Sequence, residues 1–168
     1  TYNVSEGKKY TINNVNVVGE IPFDEELYLE IIDSLKDETY SQAQITNIEE
    51  FFLNVLGNRG YAFAEVSGGT EVIEDSNKVD LTFSIAPGNK TYTRKILFTG
   101  NNITQDHVLR REMRQFEGAW SSDNSIEAGK VRLERLGYFK EVNVETIPVA
   151  GSEDQIDIIY SVEEETTG

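Results

Sequence analysis

Six stretches of the chain alternate apolar and polar residues, a period of two that is typical of half-buried β-strands. Each half of the chain has three such stretches, and segments with helical periodicity separate the first from the second. The same order of elements, β-α-α-β-β, is therefore expected twice. The predicted strands cover 10–18, 62–73 and 78–86 in the first half, and 92–99, 140–148 and 154–163 in the second.

Two helices in each half are predicted from apolar residues that recur every three or four positions. Gly129 lies inside one of these apolar stripes. An inward glycine weakens a helix, so we expect a neighbouring element to approach closely there. Gly60 and Gly137 follow the second helix of each half and are expected to end it in the left-handed conformation. The stripes are Phe23, Leu27, Ile31 and Leu35; Ile45, Ile48, Phe52 and Val55; Val108, Leu109, Met113 and Phe116; and Ile126, Gly129, Leu133 and Leu136.

The two halves are related by sequence as well as by pattern. VDLTFSIAPG (79–88) matches IDIIYSVEEE (156–165), 77 positions later. Tyr40-Ser41 likewise matches Trp120-Ser121, and both aromatic residues are expected to anchor the loop before the second helix over the core. A three-stranded sheet with two helices on one face is the simplest packing of such a unit. We therefore predict an α+β fold of two tandem β-α-α-β-β units, each with a three-stranded mixed sheet.

The predicted units cover 9–88 and 89–168. The connector at 86–90 contains a proline and a glycine, which favour a stiff bend over a flexible linker. The opening YNVSEG (2–7) matches FSIAPG (83–88), which runs into this connector. Residues 1–8 are therefore interpreted as the last strand and connector of a missing upstream unit. Residues 1–6, without their own sheet, are expected to be poorly ordered or packed against a neighbour.

Composition and charge exclude several classes of site. The 168 residues include no cysteine, which removes disulfides, thiolate nucleophiles and Cys-based zinc sites. The formal net charge is −15, which disfavours nucleic acid as a partner. Residues 91–136 depart from this acidic background, with 8 Lys and Arg against 6 Asp and Glu. The basic stretch in the second half is therefore a candidate site.

The repeated order of elements, with a Gly-Tyr pair after each second helix, resembles that of POTRA domains. These are the periplasmic modules of Omp85-family outer-membrane proteins. The stretches VLRREMRQFEGAW (108–120) and RLGYFKEV (135–142) look like the last POTRA domain of the family member in the β-barrel assembly machinery. The resemblance implies that the units are the fourth and fifth POTRA domains, with a membrane barrel just past residue 168. It also implies that the third strand of each sheet is central and the second lies on an edge.

The resemblance implies a non-catalytic periplasmic interaction module without cofactor or metal. It would dock an accessory lipoprotein of the BamD type and guide unfolded outer-membrane protein clients to its own C-terminal barrel. One alternative is a POTRA pair of another Omp85-type transporter, as in two-partner secretion. A small acidic hydrolase is an alternative of another class. The duplication argues against an enzyme, because neither copy holds a residue set of its own that forms a catalytic site.

A helix through 108–117 would place Arg110, Arg114 and Glu117 on one stripe beside its apolar face. From physics alone, such a stripe is typical of a solvated face with weak pairs between neighbouring turns. In the family, the last POTRA domain docks the accessory lipoprotein. The resemblance therefore implies that these residues dock it, the arginines on carboxylates and the glutamate on a partner arginine. Contact with the membrane surface is an alternative that the acidic background opposes.

The second strand of each unit is the candidate for strand addition, because an edge strand presents unpaired backbone groups to an incoming strand. In the first unit the candidate residues are Phe63, Glu65 and Ser67. An edge that is capped and unused is the alternative. His107 is expected in the first turn of a helix that Thr104 caps, and a lone histidine is a poor metal-ligand set.

Overall fold

Each half of the chain builds its own three-stranded sheet in the computed structural model, which describes residues 9–166. The expectation for residues 1–6 lies outside the described residues. The first sheet contains β1 (Thr11–Gly19), β2 (Glu65–Val72) and β3 (Lys78–Ala86) in the order β1-β3-β2. β3 pairs parallel with β1 and antiparallel with β2. The expected mixed sheet, with the third strand central, is confirmed.

The second sheet repeats this topology. It contains β4 (Tyr92–Thr99), β5 (Phe139–Pro148) and β6 (Gln155–Glu164) in the order β4-β6-β5. β6 pairs parallel with β4 and antiparallel with β5, and both central strands alternate buried and exposed residues. Of the described residues, 9–54 and 64–87 form unit 1, whereas 55–63 and 88–166 form unit 2.

Two helices follow the first strand of each sheet. They are α1 (Glu26–Leu35) and α2 (Gln42–Asn58) after β1, and α3 (Asp106–Arg110) and α4 (Asp123–Arg135) after β4. The expected stripe of α1 is partly wrong. Leu35 is buried, but Leu27 is exposed, and Tyr28 lies in the core in its place. The ring centroids of Tyr28 and Phe52 are 6.1 Å apart. Phe52 also packs on Phe83, so an aromatic cluster rather than an aliphatic ridge sets how α1 lies on the sheet.

The expected continuous helix through 108–117 is wrong. α3 ends at Arg110, and residues 111–120 follow as turns. Phe116, expected in the core, is 63% exposed, and the amide of Gln115 is buried instead. Its Nε2 donates to Trp120 O at 2.9 Å, and its Oε1 accepts from Ser122 N at 2.9 Å. These bonds hold the turn segment against the start of α4, whose N-cap is Ser122.

The close approach expected at Gly129 is confirmed. A Cβ there would lie 2.7 Å from Tyr160 Oη and 3.1 Å from Met113 Sδ. The hydroxyl of Tyr160, which is buried, donates to Ile126 O at 2.7 Å. Burial raises the pKa of this phenol. The glycine therefore makes room for a polar atom inside the core of unit 2.

The loop before the second helix has the same backbone plan in both units. Asp37 and Gly118 both have positive φ, at 65° and 82°, and each donates its N–H to the first strand. Ile12 O accepts from Asp37, and Thr93 O accepts from Gly118. Equivalent positions are thus 81 residues apart, and the counterpart of Tyr40 is Ser121. The expected equivalence of Tyr40 with Trp120 is wrong by one residue. Trp120 does not close over the core: it is 43% exposed and stacks on Tyr92 at 3.7 Å, with Lys90 Nζ 4.3 Å from its ring centroid.

Candidate interaction sites

Arg110 and Glu117 lie together on the outer edge of β4. Glu117 Oε2 accepts from Ile96 N at 2.9 Å, and Arg110 Nη2 donates to Ile96 O at 3.0 Å. The two side chains approach to 3.8 Å. They thus satisfy both peptide groups of Ile96 much as a neighbouring strand would. The structure brings these two predicted residues together by this contact with β4, and not through a shared helical face.

Arg110 is held by further contacts. Its Nε donates to Asp106 Oδ2 at 3.1 Å, and its guanidinium lies 5.1 Å from the ring centroid of Phe98. The Arg110 and Glu117 side chains remain 43% and 47% exposed. The pair is thus positioned by β4 and α3 while it stays accessible to a partner.

Arg114 lies apart from this pair. Its Nη1 donates to Met113 O at 3.0 Å and to Glu112 O at 3.5 Å, within its own turn. This placement follows from the end of α3 at Arg110, because residues beyond it no longer advance by 100° each. Arg114 is exposed and makes no ion pair within residues 9–166, so its charge is available to solvent.

The edge of β2 carries two of the three residues proposed for strand addition. Glu65 and Ser67 belong to β2 and are exposed, whereas Phe63 precedes the strand and is 43% exposed. Ile73 N donates to Lys78 O, so odd-numbered residues direct their backbone groups to β3. The backbone groups of even-numbered residues, from Val66 to Val72, therefore face outward. The side chains of Glu65 and Ser67 lie on the open face of the sheet beside these groups.

One outward group of β2 is already occupied. Gly68 N donates to Glu49 Oε2 at 2.7 Å, across the edge of the sheet from α2. A Cβ on Gly68 would lie 2.7 Å from Ile45 Cγ2 and 3.1 Å from Phe83, so the glycine lets α2 approach this strand closely. No local pattern of residues predicts this contact, since its partners are 19 residues apart.

Two further acidic residues that periodicity did not single out have strong partners. Asp157 accepts from Arg94 at 3.0 and 2.6 Å, and the Arg94 guanidinium lowers the pKa of that carboxyl. Glu164 accepts backbone N–H groups from Asn102, Ile103 and Thr104 at 2.7 to 3.1 Å, and these bonds lower the pKa of its carboxyl. The Glu164 carboxylate thus fixes the loop between β4 and α3.

Glu164 also changes how α3 begins. The N-cap of α3 is Gln105 rather than Thr104, whose N–H is held by Glu164. His107 lies in the first turn of α3, as expected, and is exposed. Within residues 9–166, no group of three His, Cys, Asp or Glu side chains is arranged to bind a metal ion. No helix in that part of the chain is both long enough and apolar enough to span a membrane.

Both units match a protein family. The sequence profile of the POTRA family, described as surface antigen variable number repeat, matches residues 10–88 and again 91–165. Among curated proteins, the outer membrane protein assembly factor BamA of Neisseria meningitidis is 34% identical over 98% of this chain. BamA of Buchnera aphidicola is 35% identical over the whole chain. The chain spans 21% and 27% of the lengths of these two relatives.

Solved structures share the fold of this chain. The crystal structure of Haemophilus influenzae BamA POTRA3-5 superposes with a TM-score of 0.85 at 29% identity, covering 92% of this chain and 61% of that one. BamA from Haemophilus ducreyi lacking POTRA domains 1-3 gives a TM-score of 0.82 at 36% identity, with 94% of this chain and 30% of that one covered. Profile, sequence and structure thus agree along nearly the whole described chain. The chain belongs to the POTRA family, as two consecutive POTRA repeats.

Proposed function

We propose that this chain is a periplasmic interaction module in outer-membrane protein assembly, formed by the fourth and fifth POTRA domains of a BamA-type protein. The two BamA relatives match it over 98% or more of its length and are named for that assembly role. POTRA repeats of such relatives are non-catalytic and belong to the periplasmic part of Gram-negative outer-membrane proteins. The chain therefore contributes surfaces that bind partners and no reaction centre.

The first proposed surface is the set Arg110, Arg114 and Glu117, which docks an accessory lipoprotein of the BamD type. The half-exposed Glu117 carboxylate on β4 is the observation that carries this proposal. Within residues 9–166, the two contacts of that carboxylate both use Oε2. Oε1 is thus offered at a fixed position for a cation. A group already held in place loses little conformational freedom on binding, which favours a specific contact.

The neighbouring arginines extend this surface with two positive charges. Arg110 is fixed beside Glu117, whereas Arg114 projects from the following turn. A partner with a basic residue for Glu117 and carboxylates for the arginines fits this pattern. A partner with an acidic surface alone would meet repulsion from the net charge of −15.

The test is a pull-down of periplasmic lipoproteins with the chain and with charge-altered variants. Glu117→Lys and the double variant Arg110→Glu, Arg114→Glu are expected to lose a lipoprotein that the unaltered chain retains. Lys36→Glu, a charge reversal in unit 1, is the matched control and is expected to retain it. Retention of the same lipoprotein by both docking variants contradicts the proposal.

The second proposed surface is the edge of β2, where an unfolded outer-membrane protein client adds a strand beside Phe63, Glu65 and Ser67. Pairing through backbone groups tolerates many side chains, which suits a module that handles many clients. Titration with an extended peptide is expected to shift the amide resonances of residues 65–72. Shifts confined to other parts of the chain contradict this proposal.

A further inference from the structure

β2 and β5 are the edge strands that pair antiparallel with the central strand of their sheets. They differ in whether side chains bond to their outward backbone groups. In unit 1, the Glu49 carboxylate on α2 holds the outward N–H of Gly68, in the middle of β2. An incoming strand needs that N–H for its own ladder, because outward groups of an edge strand pair in sequence along the strand. Glu49 therefore competes with any strand that adds to β2.

The equivalent edge of unit 2 lacks such a competitor. Val149 N donates to Gln155 O, so after the bulge between Phe139 and Glu141 the odd-numbered residues of β5 pair with β6 and the even-numbered ones face outward. The outward groups with an N–H are those of Val142, Val144 and Thr146. Within residues 9–166, no side chain bonds to these backbone groups. The edge of β5 is thus open along its centre.

Sequence differences between the units explain the contrast. Ile45 and Ile126 are the first buried residues of α2 and α4, and they lie 81 residues apart. The same spacing makes Lys130 the counterpart of Glu49. A lysine ammonium cannot accept a hydrogen bond from a backbone N–H. Across the sheet, Val144 pairs with Tyr160 as Gly68 pairs with Phe83. Unit 2 therefore lacks both the acceptor and the glycine that brings the helix close to the strand.

We propose that the Glu49 carboxylate hinders strand addition at the edge of β2, so that an extended polypeptide strand adds first to the edge of β5. This inference rests on the proposed strand addition and ranks the two edges within it. A strand that binds β2 must first displace the Glu49 carboxylate from Gly68. A hydrogen bond to a charged acceptor is among the stronger ones in proteins, so its release weakens strand binding at β2 by about tenfold or more.

The experiment is an amide NMR titration of the whole chain with a synthetic peptide of sequence KVDLTFSIA, which copies β3. Gly68 and Thr70 report on β2, whereas Val144 and Thr146 report on β5. In the unaltered chain, the β5 signals are expected to shift at lower peptide concentration than the β2 signals. Glu49→Ala is expected to tighten binding at β2 by about tenfold and to leave β5 unchanged. Glu50→Ala, an exposed neighbour on α2, is the matched control and is expected to change neither edge.

Three outcomes overturn the inference. If β2 binds the peptide with equal affinity in the unaltered chain and in Glu49→Ala, Glu49 does not hinder strand addition, although strand addition itself stands. If β2 responds before β5 in the unaltered chain, the ranking is wrong. If neither edge shifts in either protein, strand addition itself fails, and docking of the lipoprotein at Glu117 is left as the sole proposed surface.

Discussion

The cores of the two units divide side-chain volume differently between the central strand and the second helix. In unit 1, the central strand contributes Phe83 and the second helix contributes Ile48, both buried. In unit 2, the corresponding positions hold Tyr160 and Gly129, and the glycine makes room for the phenol oxygen. The larger strand residue thus requires the smaller helix residue. A repeated fold preserves the space between a helix and a sheet rather than the side chains that fill it.

The segment between the first strand and the second helix differs more deeply. Unit 1 fills it with α1, where Asp33 in the last turn and Lys36 at the C-cap form an exposed pair at 3.8 Å. Unit 2 ends α3 early and places Glu117 at the position of Lys36, where its carboxylate bonds to Ile96. Val15, the counterpart of Ile96, has no such side-chain partner in the described chain. The scaffold is thus shared, and the charged surface proposed for docking is present in one copy.

The largest effect is expected from Gly129→Ile, which gives unit 2 the helix residue of unit 1 without the matching phenylalanine. The added side chain collides with Tyr160 and Met113, and overpacking of this kind costs about 2–3 kcal/mol. Urea unfolding followed by the fluorescence of Trp120, the single tryptophan, measures the change. Glu127→Ile on the exposed side of α4 is the control, with an expected change under about 0.5 kcal/mol. Equal stability of the two variants contradicts the proposed exchange of bulk.

A smaller loss is expected from Tyr160→Phe, which gives unit 2 the strand residue of unit 1. The variant removes the hydrogen bond to Ile126 O and leaves a gap beside Gly129, at a cost of about 1 kcal/mol. The same unfolding measurement applies. The double variant with Gly129→Ala is expected to recover part of the loss, because the added methyl fills the gap. Strictly additive changes show that the two positions do not share space.

Glu117→Ala is expected to cost about 1 kcal/mol or less, since the carboxylate is half exposed. Hydrogen exchange at the Ile96 amide sharpens this comparison, because that N–H loses its acceptor and exchanges faster. Lys36→Ala in unit 1 is the counterpart and is expected to leave stability unchanged. Unaltered protection of Ile96 in Glu117→Ala shows that the bond does not cover the edge of β4.

The smallest effect is expected on the pH dependence of folding stability, and it arises from Glu164 in unit 2. The backbone N–H groups of the β4–α3 loop lower the pKa of Glu164 from its ordinary value of 4.5. A carboxylate with a lowered pKa stabilises the folded state above its unfolded pKa, and this contribution disappears as pH falls through the lowered value. Glu164→Gln is therefore expected to flatten the fall in stability below about pH 4.5. Unit 1 has Pro87 at this position, and Glu165→Gln is the control; identical acid profiles for both variants contradict the role of Glu164.

The strands and their succession along the chain were predictable, because alternation and glycine turns are local signals. The central place of the third strand in each sheet was expected from the family resemblance alone. The segment 111–120 was not predictable. Leu109, Met113 and Phe116 have helical spacing, yet the backbone leaves the helix after Arg110 and the side chain of Gln115 bonds the backbone groups. The contacts of Glu117 with Ile96 and of Glu49 with Gly68 are also non-local, so periodicity could not reveal them.

The three docking residues were named from their resemblance to a family segment and not from a contact. The structure supplies a physical reason for two of them, since β4 holds Arg110 and Glu117 together. The role of all three as a docking surface stays a prediction. So does the stiffness of the connector at 86–90, which small-angle scattering would test through the breadth of the size distribution.

Calorimetric titration of the chain with a purified BamD-type lipoprotein tests the central claim most directly, with Glu117→Gln as the decisive variant. The glutamine can still accept from Ile96 N, so the fold is preserved while the charge is lost. We predict that Glu117→Gln weakens binding at least tenfold, whereas Glu112→Gln, which removes another carboxylate of the same segment, binds as the unaltered chain does. Equal affinity of Glu117→Gln and the unaltered chain would contradict the account.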